Sequence, residues 1–172
     1  MRLLLGLILL SSVASATPSM FTLLSESELL APLAMMRQVE QSHEGVISAF
    51  EVDIENGELN YKLEVIDPIK YTLTAFQFSG LDGKLQHQKV VTLEADDLDE
   101  LEAVKLLQHK KLSFSALVEM AMNQTQSHLL EAQLDHDLGI GYLELKLVDE
   151  AGKHKLAFDI ENLRPLPLLK WD

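Results

Sequence analysis

Phe50-Glu51-Val52-Asp53-Ile54-Glu55-Asn56-Gly57-Glu58-Leu59-Asn60-Tyr61-Lys62-Leu63-Glu64-Val65 is the stretch that decides the fold. Phe50, Val52 and Ile54 alternate with acidic residues, the period-two pattern of a strand with one buried face. Asn56-Gly57 supplies two residues that tolerate positive φ in a tight hairpin turn. Beyond it Leu59, Tyr61, Leu63 and Val65 alternate with Asn60, Lys62 and Glu64. The stretch therefore predicts a hairpin with one apolar and one polar face. It also recurs. Asp53, Gly57, Leu63 and Asp67 have counterparts in Asp135, Gly139, Leu145 and Asp149, each 82 residues downstream. Laying Ala34–Ser79 over Ala116–Glu161 extends the match without a gap, through Ala75-Phe76 and Ala157-Phe158. Such a duplication implies two similar modules, each offering half of a larger surface.

Working outward, Ser27 is expected to cap a helical turn at Glu28–Ala31, and Pro32 suits the first turn of a helix. Leu33, Met36, Val39 and Glu40 then form one helical stripe that ends near Gly45. Asp67-Pro68 breaks the second strand, and a second hairpin, Tyr71–Phe78 with Lys84–Leu93, closes about Ser79–Gly83. In the second half Asp96 and Asp97 open an acidic first turn leading to Leu98, Leu101, Val104 and the basic end Lys110-Lys111. Ser113 or Ser115 begins another helix with Leu117, Val118 and Ala121. Strands are predicted at His128–Asp135, Gly141–Val148 and Lys153–Ile160, with Leu166–Trp171 as a closing edge strand that tolerates Pro165 and Pro167. The fold class that follows is α+β: two tandem helix-helix-four-strand antiparallel repeats, at residues 17–93 and 94–172, with the helices packed on one sheet face.

The repeat identifies that face. Phe50, Val52, Tyr61, Leu63 and Val65 match Ala132, Leu134, Leu143, Leu145 and Leu147 at one parity. The opposite parity carries Glu51, Asn60, Lys62, Glu64 and Gln77, then Gln133, Glu144, Lys146, Lys155 and Asp159. Tyr71, Leu73 and Tyr142 break its polarity and are the candidate binding surface.

The N-terminus sets the compartment. Arg2, the apolar run Leu3–Leu10 and the small residues Ala14-Ser15-Ala16 have the layout of a secretory signal, residues 1–16. The run is shorter than the ~20 apolar residues a membrane span needs. The mature chain is then expected to start at Thr17, to be periplasmic or secreted, and to insert in no membrane. Losing the signal removes Arg2, leaving 13 basic against 27 acidic residues, a net charge of −14. That field repels nucleic acid and favours basic partners or cations. With no cysteine in the chain, thiolate metal sites, cysteine nucleophiles and disulfides are all excluded.

The helix, the hairpin Val46–Val65 and the turn at Leu81–Leu85, with a weaker second copy at His128–Leu147, resemble the PepSY module. That resemblance covers most of the mature chain. It implies a small exported protein, in a family that includes peptidase propeptides and tandem modules. The duplicated helix-helix-four-strand unit is also similar to the β-lactamase inhibitory protein architecture, in which two sheets join into one surface that grips an enzyme. This chain lacks the cysteines that staple each repeat of that family. What the resemblance implies is a binding sheet, without its target.

Reactive groups do not cluster. None of the six histidines pairs with another at the i, i+4 spacing of a metal-binding helix. Asp135-His136-Asp137 is the tightest acid–base group, the basis of a hydrolase reading, yet it precedes Leu138-Gly139 and reads as a strand end. Asp53–Glu58 has the start of a calcium loop, but its twelfth position, Glu64, belongs to a strand. Glu94–Glu100 reads as a helix start. The expected function is non-enzymatic and cofactor-free: binding another exported or envelope protein, inhibiting or chaperoning a peptidase. The alternative is a module binding a cation or small ligand.

Overall fold

The computed structural model describes residues 19–26, 28–55, 57–123 and 125–167. The expected signal segment, Thr17, Ser27, Asn56 and the end of the predicted closing strand lie outside these. Four helices and eight strands follow in chain order: α1 (Met20–Glu26), α2 (Pro32–Ser42), β1 (Val46–Glu55), β2 (Glu58–Asp67), β3 (Thr72–Ser79), β4 (Leu85–Thr92), α3 (Leu98–His109), α4 (Phe114–Met122), β5 (His128–Asp137), β6 (Ile140–Asp149), β7 (Gly152–Asp159) and β8 (Arg164–Leu166). The fold is α+β. All eight strands form one antiparallel sheet in the order β4-β3-β2-β1-β5-β6-β7-β8. Three residue pairs join its halves: Ala49↔Gln133, Phe50↔Ala132 and Glu51↔Glu131.

The first helix is not where the capping signal put it. Residues 28–31 are not helical, and the helix ends before them, at Glu26. Pro32 explains this, because a residue preceding proline is pushed out of the α region. Ala31 sits at ψ 132° and α2 starts directly at the proline. The helix α1 is entered instead at Ser19, whose hydroxyl accepts from the backbone N–H of Thr22 at 3.1 Å. In α4 the expected cap holds: the Ser113 hydroxyl accepts from the Ala116 N–H.

The gapless overlay also fails, at one turn. Leu63 faces Phe76 across β2 and β3. Its counterpart Leu145 faces Leu156, and Phe158 lies opposite Leu143. Pro68–Tyr71 link the first pair of strands, whereas only Glu150-Ala151 link the second. Two extra turn residues slide β3 by a full side-chain period, so parity survives while partners change.

The apolar parity forms the core. Phe50, Tyr61, Leu63, Leu134, Leu143 and Leu145 are buried with Met35, Met36 and Val39 of α2 and Leu117 and Val118 of α4. Arg37 of α2 reaches Glu119 of α4 at 2.8 Å, and Glu40 accepts from the Ser115 N–H and hydroxyl. α3 lies against β5 and β1 where their short ladder stops, and its Leu101, Ala103, Val104 and Leu107 join the core that α2 and α4 bury. Its Glu100 bonds Gln133, on the polar parity, while Ala103 and Leu106 abut Gly141, on the apolar one. A Cβ at Gly141 would come within 2.7 Å of Leu106, so only glycine lets this helix so close. Among the described residues no helix is long and apolar enough to cross a membrane.

Candidate functional site

Of the three residues that break the polar parity, Leu73 offers no surface for binding: it is 7% exposed and pairs across the strands with the fully buried Ile66, so it belongs to the interior. Tyr142 lies on the polar face, where its hydroxyl donates to Asp135 Oδ2 at 2.7 Å. Burial and this bond to a carboxylate raise the phenol's pKa. Asp135 is further held by the backbone N–H of His136 at 2.7 Å, so the carboxylate of the acid–base triplet acts as a cross-strand brace. Tyr71 precedes β3, in the turn that follows β2.

That turn belongs to a set that sequence reasoning missed. Tyr71, Leu138 and Leu163 all adopt left-handed backbone, at φ 56°, 50° and 51°. Side chains other than glycine and asparagine rarely sit there, because the Cβ crowds the following carbonyl, at about 1–2 kcal/mol per residue. The fourth such residue, Lys111, follows α3, where a left-handed residue is ordinary. The other three are large, apolar and uncovered: Tyr71 is 49%, Leu138 87% and Leu163 41% exposed. Ile69 and Ile140 beside them are exposed as well.

The strand order places all three at one end of the molecule. Strands β1 and β5 are antiparallel, so the start of β1 lies by the end of β5. The β2–β3, β5–β6 and β7–β8 turns consequently share that end. At ~4.8 Å between strands, they are spread over roughly 24 Å. Two of them are anchored alike. Asp67 Oδ1 accepts from the N–H groups of Ile69 and Lys70, at 2.9 and 3.0 Å. Asp159 Oδ1 does the same for Glu161 and Asn162, at 2.8 and 3.0 Å. The N–H of Lys70 and its ammonium hold the Asp67 carboxyl below its usual range. In the third turn Leu138-Gly139 takes positive φ at both positions, the hairpin geometry for which Asn-Gly is the usual pair. The readable signal was that Leu138 stands where the first repeat has Asn56.

Along the strands, the polar sheet face is a lattice of cross-strand ion pairs. Lys62 meets Asp53 at 2.6 Å, Lys146 meets Glu131 at 2.6 Å and Lys155 meets Glu144 at 2.8 Å. Acid remains in excess around the N-terminal turn of α3. Burial pushes Glu100 up to about 6, against a hydrogen bond from Gln133, and the charges of Glu64, Asp97 and Asp135 push it the same way. Burial, then Asp97 and Glu51, raises Glu64 too. Among the described residues no group of three histidines, aspartates or glutamates is arranged to hold a metal ion.

No family model matches the chain. No curated protein matches it. Among solved structures, a lipoprotein candidate from Clostridium difficile 630 is similar at a TM-score of 0.47 and 14% identity, over 84% of this chain and 95% of that one. At that level of likeness nothing is carried over from it.

Proposed function

We infer that the chain is an exported, non-enzymatic binding protein that holds another exported or envelope protein, a peptidase first among candidates, at the turn-bearing end of its sheet. The observation that carries this reading is the trio Tyr71, Leu138 and Leu163: exposed apolar side chains on strained backbone, at one end of the fold. Strain and exposure both disfavour the isolated chain, and a partner that covers the tips offsets the second. A spread of roughly 24 Å, from strand spacing, fits a protein surface rather than a small molecule. The mechanism is occlusion, with the turns seated on the partner and substrate kept out. The acid excess at Glu51, Glu64 and Glu100 favours a basic partner and speeds its encounter.

The finer architecture belongs to the same reading: two tandem PepSY-like helix-helix-four-strand repeats about a two-fold axis. Matching registers support it, since Val46↔Ile66 and His128↔Val148 are the same pair displaced by 82 residues. The register shifts near Ser48 and near Leu130 obey the same displacement. Two contacts, Phe50↔Ala132 and Arg37–Glu119, join a residue to its own counterpart, as happens only on such an axis.

The test is capture from the exported fraction with tagged Thr17–Asp172, read by mass spectrometry, beside the variants Leu138→Asn and Tyr71→Ser. One stoichiometric peptidase is expected, inhibited without cleaving the bait, and held at least tenfold less tightly by both variants. Leu138→Asn should melt no lower than the parent, because asparagine tolerates left-handed backbone. Undiminished capture by folded variants, or an empty capture by folded bait, would sink the reading.

A further inference from the structure

The two edges of the sheet are finished differently. β8 is three residues long and holds Pro165, which has no N–H to offer a neighbour. Among the described residues β4 pairs only with β3, and all eight of its residues, Leu85–Thr92, are exposed. The bulge opposite Gln77 and Phe78 disturbs its start and leaves His87–Thr92 regular. Natural edge strands of this length are ordinarily blunted by charge, proline or a covering element. Here Lys89 is the single formal charge, no proline is present, and Val90 is 57% exposed. On the core-facing side an open groove of about 340 Å³ runs beside the strand, lined by Val65, Phe76 and Val90 and by the charged Glu44, Asp67 and Lys70, of which Lys70 pairs with both carboxylates.

Charge decides what fits. β1 carries Glu51, Asp53 and Glu55, β2 carries Glu58, Glu64 and Asp67, and β5 carries Glu131, Asp135 and Asp137. β3 has no charged residue, and β4 has no carboxylate. In a chain of net charge −13, most approaches of one copy to another set carboxylates against carboxylates. The β4 edge avoids that. It is also poorly suited to the basic partner that the rest of the surface attracts.

We propose that β4 pairs antiparallel with β4 of a second copy, about a two-fold axis, so that one sheet runs through both chains. A two-fold antiparallel pair must be centred on a residue to keep each side chain on its face. Centring on Gln88 sets Lys89 against His87, and centring on Val90 sets it against Val91; only a centre at Lys89 opposes like charges. Backbone hydrogen bonds supply the contact, and the exposed valines gain cover. This dimer does not depend on the partner reading, since the turn-bearing residues are not part of β4.

Sedimentation of the mature chain from low to high micromolar concentration tests it, together with single-cysteine variants of a chain that has no other cysteine. A concentration-dependent dimer is expected, weakened at least tenfold by Val90→Lys. Mild oxidation should cross-link Gln88→Cys if the axis passes through Gln88, or Val90→Cys if it passes through Val90, and should not cross-link Leu163→Cys. A monomer at every concentration, or a dimer indifferent to Val90→Lys, overturns the proposal. So does a monomer whose β4 instead takes a strand from another protein. Circular dichroism of each variant separates lost pairing from lost fold, and Leu138→Asn should dimerise like the parent.

Discussion

Glu100 illustrates what burial does to one carboxyl. Its folded-state pKa of about 6 lies above the ordinary 4.5, so the folded chain holds that proton more tightly than the unfolded chain. The associated stability is present below about pH 4.5 and is lost as pH rises through about 6. After allowance for solvent screening the loss is about 1 kcal/mol. Denaturant titrations between pH 4.5 and 7 should show stability falling with pH, and Glu100→Gln should flatten that slope and raise stability at pH 7. A slope unchanged by the substitution would show that Glu100 is not its source. Asp53, Asp67 and Asp82 are shifted downward by their lysine and backbone donors, so their contribution is lost only in stronger acid. Little of this was legible beforehand: Glu100 reads as one helix-start acid among several. Its partner Gln133 lies 33 positions away on a strand. Leu73 taught the reverse, since alternation put it on the open face and only the packing of Ile66 and its neighbours buries it.

At the scale of elements, local rules performed where the signal was local. Alternation about Gly57 and Gly139 located the hairpins, and Ser113 located the start of α4. Replacing Ser113 by alanine leaves the first turn of α4 short of an acceptor and should lower stability by about 1 kcal/mol, measured by thermal or denaturant unfolding. A variant as stable as the parent would assign the capping to Glu40, which already serves Ser115. The errors had local causes too. Ser27 has the residue type of a cap, but Pro32 drives the residue before it out of the α region, so no helical turn forms at Glu28–Ala31. The gapless overlay hid two extra residues in the β2–β3 turn, because turn residues carry no periodicity from which a register can be read.

At the scale of the molecule, both halves share one sheet and one core, through three residue pairs between β1 and β5. Phe50 is fully buried at that seam. Phe50→Ala should therefore cost about 3–5 kcal/mol. Leu63→Ala and Leu145→Ala, in different halves, should shift one common transition when followed by calorimetry and circular dichroism. Two separable transitions would mean that the seam does not couple the halves.

By itself the sequence determined the class of the fold, the hairpins, the buried parity of most strands and the acidity of the whole, because these depend on residue type and on spacings of two to four positions. Tertiary structure alone decided that β1 meets β5, that α3 lies where their ladder ends, that Leu73 is interior, and that Tyr71, Leu138 and Leu163 share one end. Each of those facts depends on which distant segments pair and in what register, and that is settled by the shape of the packed whole rather than by any short run of residues.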